Sequence, residues 1–169
     1  MNRPKLEPLP LHSLLAPFEA AGAYTDCYSI EVAGAVTIKQ FVAAFYSSRL
    51  FKKERWILKW VVAKPSTDDQ ALQLAAGKLD RFAAWTVEGR TDTQFLACDY
   101  QGRTRSWLMV TPNGSSTKLS FGTAVVSREK AGTGTSKPPL IFRLLTGPHR
   151  IYAQALLRSA VRRLGQISA

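Results

Sequence analysis

The chain is poor in the residues that most often announce chemistry. It holds two histidines, His12 and His149, near opposite ends, and two cysteines, Cys27 and Cys98. Neither HxxxH nor paired CxxC spacing occurs, which argues against a zinc site made from protein ligands alone. The cysteines lie in strand-like surroundings and read as two buried thiols in a reducing compartment, the cytoplasm, with a disulfide between them left open. No apolar run reaches about 18 residues, so no membrane-spanning helix is expected. The opening stretch MNRPKLEPLPLHSLLAPFEAAGAY has no continuous apolar core ending at a small-residue cleavage site, so no signal peptide is expected. No Ser-His-Asp order and no paired-carboxylate motif stands out. The GTGT in the loop 128–137 precedes Lys137-Pro138-Pro139, whereas a phosphate cradle needs a following helix with a Lys-Ser/Thr pair. No cofactor is implied.

Acidic residues are also scarce: 12 against 23 Lys and Arg, for a net charge of +11. The imbalance is local. Residues 49–64 carry six basic residues and one acid, and residues 128–169 carry eight and one. Both stretches read as helical regions, so the excess sits on helices and not on strands. Leu50 to Ala63 has an apolar stripe of Leu50, Ile57 and Val61, with Trp56 and Trp60 beside it and basic residues on the remainder. Such a helix suits an anionic membrane surface or nucleic acid. The plainer reading is a surface helix whose long basic side chains cover apolar neighbours. The C-terminal arginines lack interleaved aromatics, which weakens the nucleic-acid version.

What the chain has in quantity is strand. Arg81 to Ser127 reads RFAAWTVEG, DTQFLACDYQG, RTRSWLMVTPNG and STKLSFGTAVVS, four runs rich in β-branched and aromatic residues with polar turns between them. The expected turns are Gly89–Asp92, Tyr100–Arg103 and Pro112–Ser116. Alternation puts Trp85 and Val87 on one face of the first run, and Phe95, Ala97 and Asp99 on one face of the second. In the third run Arg105, Trp107 and Met109 oppose Thr104, Ser106 and Leu108. Neither face of the meander is purely polar, which suggests a sheet bent around a core or a cavity.

Around it, 1–10 reads as an extended arm, Leu11 to Ala21 as a short helix limited by Pro17, and Tyr24 to Val32 as a first strand. Thr37 suits the N-cap of a helix through Ser47 that aligns Ile38, Phe41, Val42 and Phe45. Ser66 or Thr67 suits the cap of a short helix through Ala76, ended by Gly77. Pro138 or Pro139 starts a short helix, Gly147-Pro148 breaks it, and a final helix runs from Pro148 to about Leu164. The 169 residues read as a single α+β domain: a curved antiparallel sheet wrapped around a long C-terminal helix.

This order resembles the helix-grip plan of the START-like, or Bet v 1-like (SRPBCC), superfamily over about Tyr24 to Leu164. A closer resemblance is to a bacterial domain family of unknown function allied to it. The similar pieces are FVAAFYSSRLFKKERWILKWVV, FLACDYQGRTRSWLMV and GPHRIYAQALLRSAVRRL. The resemblance implies a cavity between sheet and terminal helix that holds an apolar or amphipathic small molecule, with no specific chemistry attached.

The residues offered for that cavity are Trp85, Asp99, Tyr100, Arg105, Trp107, His149 and Tyr152. The four aromatics read equally as plain core. Asp99, if it points inward, is expected to pair with Arg105 or Arg81, because an unpaired buried carboxylate is costly. His149 is read at a helix start, where the dipole favours the neutral ring, and either it or Asp99 could serve an enzyme as acid or base. A hydrogen-bonded structural histidine is the plainer alternative.

Overall fold

The computed structural model describes residues 3–51, 67–126 and 140–167, with side chains from 149 to 166 in the last of these. Beyond Phe51, the expected basic helix with Trp56 and Trp60 lies outside the described residues, as do the loop 128–137 and the helix start at Pro138 or Pro139. Among the described residues the elements run β1 (Lys5–Leu6), α1 (Ala16–Ala20), β2 (Tyr24–Ala33), α2 (Ile38–Tyr46), α3 (Asp68–Ala75), β3 (Arg81–Phe82), β4 (Trp85–Arg90), β5 (Gln94–Asp99), β6 (Thr104–Asn113), β7 (Ser116–Val125) and α4 (Leu140–Ile167). The protein is α+β. Seven strands form one antiparallel sheet in the order β1-β2-β7-β6-β5-β4-β3, with a long C-terminal helix packed on α2 and against β2 and β7.

Local chemistry explains most boundaries. Thr37 and Thr67 each accept a hydrogen bond from the backbone three residues on, and Gln40 and Gln70 reach back to the cap N–H. These are two complete capping boxes, which satisfy donors that a helix start leaves orphaned. Gly77 follows α3 at φ 78°, a conformation cheap only for glycine. Pro112 lies within β6 and not in a turn. It pairs with Thr117 of β7, but β5 ends its pairing at Met109, so no partner on that side needs the missing N–H.

Three further expectations require correction. The run from Arg81 is not one strand: a two-residue turn at Ala83–Ala84 folds β3 back on β4, pairing Phe82 with Trp85. Ala83 adopts φ 51°, so the turn has no Gly or Asn to announce it. The N-terminal arm is not merely extended, since Lys5 and Leu6 pair with Ser29 and Tyr28 at the sheet edge. Finally, Gly147-Pro148 does not break the last helix, which is continuous through it. Proline costs a helix interior one hydrogen bond and a steric clash. The buried residues just downstream (Ala153, Leu156, Leu157, Ala160 and Leu164) offset that local penalty.

Both faces of the sheet are covered, which accounts for its two-sided apolar pattern. On the inner face, α2, α3 and α4 close the main core over Tyr28, Phe95, Leu108, Leu119 and Phe121. The outer face carries a smaller cluster of Cys27, Leu96, Trp107 and Ala124, capped by Leu9, Leu14, Leu15 and Phe18 from the N-terminal segment. Gly122 permits that closeness: a Cβ there would lie 2.7 Å from the Asp26 carbonyl and 3.0 Å from Leu15 and Trp107.

Candidate functional site

Strand register brings the site together. Directly opposed residues on neighbouring strands share a face. One inner row runs Trp85–Asp99 across β4 and β5, with Thr104 on β6 opposite Val125. The next runs Val87–Ala97–Ser106–Thr123–Asp26, from β4 to β2. Above them α4 presents His149, Tyr152, Ala153 and Leu156. Between strands and helix is a pocket of about 300 Å³, to which α2 contributes Phe45, and to which Phe51 and Phe121 also contribute. Most of the space between sheet and helices is solid with side chains. Phe45, Tyr46, Phe51, Phe82 and Phe95 form a chain of ring contacts with centroids 4.8–6.4 Å apart. The pocket is what remains at the end where the sheet carries small and polar residues.

Five of the seven candidates line this pocket: Trp85, Asp99, Tyr100, His149 and Tyr152. Arg105 and Trp107 do not. Both occupy the outer face, as the register requires, since Cys98 and Leu96 oppose them. Trp107 is fully buried, and its indole N–H donates to Gln94 Oε1 at 2.9 Å. Arg105 forms a forked pair with Glu88 at 3.1 and 3.2 Å and lies over the Phe18 ring. Glu88 reaches it because a bulge between Val87 and Gly89 adds one residue to β4. The same bulge turns Arg90 inward over Phe95, where it donates to the carbonyls of Leu74 and Leu79 at 2.7 and 2.6 Å.

Asp99 is therefore not paired with Arg105, nor with Arg81. Its Oδ1 accepts from the backbone N–H of Arg103 at 2.8 Å, closing the turn at 100–103. Among the described residues no Lys or Arg stands within ion-pair range of it.

His149 lies nine residues into α4, not at a helix start, so the dipole argument falls away. It is held from the sheet instead. Its Nε2 is 3.1 Å from Thr123 Oγ1 and 3.1 Å from Asp26 Oδ2. Asp26 is buried. Its Oδ1 accepts from the backbone N–H and the hydroxyl of Thr123, at 3.0 and 2.6 Å. The contact at Oδ2 has the distance of an ion pair without hydrogen-bond geometry, and Oδ2 accepts no hydrogen bond. With the Thr123 proton committed to Asp26, the lone pairs of Thr123 face the ring nitrogen, which places the imidazole proton on Nε2 in the neutral tautomer.

Sequence reasoning missed Asp26, Thr123 and Ser106. Asp26 and Thr123 were already on the inward side of their strands by alternation. A buried acid beside a threonine on a strand was the available signal. Ser106, 4% exposed, lines the pocket floor between Ala97 and Thr123. Among the described residues no group of three His, Cys, Asp or Glu is arranged to hold a metal, and no helix is long and apolar enough to cross a membrane. Compared with protein-family models, curated proteins and solved structures, the chain matches none.

Proposed function

We propose that the chain is a small-molecule binding protein of the helix-grip, START-like kind, holding an apolar or amphipathic ligand between the sheet and α4. The observation that carries this reading is the pocket itself. It is apolar on most of its wall, through Phe45, Phe51, Phe121 and Leu156, with a few polar groups converging on it from Ser106, Thr123 and His149. That mixture is what ligand sites have in common. Its size, about 300 Å³, lies at the small end of such sites, which favours a compact ring or short chain over a long acyl chain. Native mass spectrometry of freshly purified protein tests it. The expected result is a mass excess that denaturation releases. A bare mass, together with no change in pocket resonances on titration with small ring compounds, would end the reading.

A second reading has its own support. The Asp26–Thr123–His149 chain orients an imidazole at the pocket wall, the arrangement by which a histidine acts as acid or base on a bound molecule. Under this reading His149→Ala abolishes a turnover found by substrate screening while the circular dichroism spectrum is unchanged. Unaltered turnover removes His149 from any chemistry.

A further inference from the structure

We propose that the outward face of α4, with the Arg49 corner beside it, docks on an anionic membrane surface. The proposal stands independently of what the pocket holds. Charge in this chain is segregated by element. No Asp or Glu occurs from Val32 to Lys53 or from Lys130 to Ala169, the stretches that contain α2 and α4. Of the 12 acids, ten lie on the sheet, its loops, α1 and α3. The other two are Glu54 and Glu129, in the stretches 52–66 and 127–139, which together hold eight Lys and Arg. Those stretches are net positive and bring no surplus of negative charge to set against the helices.

The two faces of α4 are opposite in character. Ala153, Leu156, Leu157, Ala160 and Leu164 are buried. Ile151, Ala155, Arg158 and Arg162 form the stripe on the far side of the helix, at helical spacing. Arg162 is exposed, Arg158 is half-buried and Ile151 is 73% exposed. Two hydrogen bonds hold the chain 47–50 alongside the C-terminal half of α4: Leu50 N–H donates to Ser159 Oγ at 3.3 Å, and Arg163 Nε donates to Ser47 Oγ at 3.4 Å. The exposed Arg49 is thereby set beside the arginines of the helix. Among the described residues no carboxylate pairs with Arg49, Arg158, Arg162 or Arg163. Arg158 and Arg162 stand about one turn apart, roughly 6 Å along the axis, inside the Debye length of about 8 Å at physiological salt, so they act together on a charged surface. Ile151 decides between anionic partners. A polyphosphate backbone gains nothing from an isoleucine in the stripe that touches it. A bilayer does, because the side chain enters the boundary between headgroups and acyl chains while the arginines stay among the headgroups.

Vesicle sedimentation of the whole chain tests the assignment. Vesicles of phosphatidylcholine alone are compared with vesicles containing about 30 mol% phosphatidylserine, at about 0.15 M salt. The chain is expected to pellet with the anionic vesicles and to stay in solution with the neutral ones. Arg158→Gln together with Arg162→Gln should lower the partition coefficient about twentyfold, at about fivefold for each arginine. Lys5→Gln together with Lys78→Gln removes the same charge from exposed positions on β1 and after α3, and should change it less than about threefold. Ile151→Ser should cost about tenfold on vesicles and leave any binding to duplex DNA unchanged. The replaced side chains face away from the core, so the circular dichroism spectra should match that of the unaltered chain. Equal pelleting with both vesicles, a glutamine pair on α4 that behaves like the lysine control, or an Ile151→Ser variant that pellets as the unaltered chain does would each overturn the proposal. Tighter binding to duplex DNA than to anionic vesicles at equal phosphate concentration would assign the face to nucleic acid and overturn it as well.

Discussion

Replacing Gln94 by Met should destabilise the protein by about 3 kcal/mol, although Gln94 lies on the opposite face of the sheet from the pocket and the two side chains are nearly the same size. Gln94 belongs to the outer face. Its Oε1 accepts from the backbone N–H of Leu14 and from the indole of Trp107, both at 2.9 Å, and its Nε2 donates to the carbonyl of His12 at 3.0 Å. One amide thus ties the N-terminal segment to the sheet. Methionine preserves the volume and leaves those groups without partners. An orphaned buried donor costs about 1–3 kcal/mol. Trp107 is fully buried, so its N–H bears the upper part of that range. Leu14 is only partly buried, and water can reach its N–H, so its share lies at the low end. The sum is about 3 kcal/mol. Urea unfolding followed by circular dichroism measures it. The informative control is the double variant Gln94→Met with Trp107→Phe. Removing both polar partners costs less than stranding one, so the pair should be more stable than the sum of the two single losses. Strict additivity, or a Gln94→Met loss under about 0.5 kcal/mol, would refute this account of the outer face.

Three further outcomes follow from the same packing. Gly122→Ala drives a Cβ to 2.7 Å from a backbone carbonyl that cannot retreat without breaking the β2–β7 ladder, so thermal denaturation should show a loss of at least about 2 kcal/mol. Arg90→Met keeps the stem over Phe95 but removes a donor from the carbonyls of Leu79 and of Leu74, which retains the Gly77 N–H, costing about 1–3 kcal/mol, and hydrogen exchange should quicken in Asp68–Ala75 before the sheet core. Burial first, then the charges of Glu7 and Asp26, pushes the Cys27 thiol up to about 12, and burial with Glu88 pushes Cys98 up to about 11. Both thiols should resist a thiol reagent at pH 8 until the chain unfolds. Because the folded values lie above the unfolded ones, this contribution to stability is fully present below about pH 9 and is lost as pH rises toward 11 and 12. Cys27→Ala should flatten that alkaline loss, and an unchanged slope would show that other groups cause it.

Elements were legible where a local rule decided them. The caps at Thr37 and Thr67, the strand from Tyr24 and the last three runs of the meander follow from capping chemistry and alternation, and those patterns are written in consecutive residues. The breaks were not legible. The Ala83–Ala84 turn uses residues that carry no turn signal. The helix through Gly147-Pro148 depends on packing by residues further along the chain. The site was half legible for a related reason. Alternation sorted Trp85 and Asp99 correctly, but Trp107 and Arg105 were drawn in by residue type when their own strand parity placed them opposite Ser106 and Leu108. The register that proves it, Leu96 with Trp107 and Cys98 with Arg105, is a contact between strands, which no single run contains. The two free cysteines show the same limit. They sit on β2 and β5, three strand spacings or about 14 Å apart, too far for the disulfide that sequence alone left open.

Why a pocket survives at one end of a well-filled core follows from the order of residue sizes along the strands. Toward the β5 start, the inner face presents Phe95, Leu108, Phe121 and Tyr28 in one continuous row, and α2 returns Phe41, Phe45 and Tyr46 against it. Large rings meeting large rings leave no space. Two residues away on each strand, toward the β5 end, the row changes to Ala97, Ser106, Thr123 and Asp26. These side chains are short, and three of them are polar. Closing that gap with an apolar side chain from α4 would strand the carboxylate of Asp26 against hydrocarbon, a cost far above what burying one more methylene returns. The helix answers with His149, whose Nε2 comes within 3.1 Å of Asp26 Oδ2 but which is too short and too polar to fill the space in front of Ser106. The buried carboxylate and the hollow therefore come together: the group that demands a polar partner from the helix also forbids the packing that would have closed the pocket.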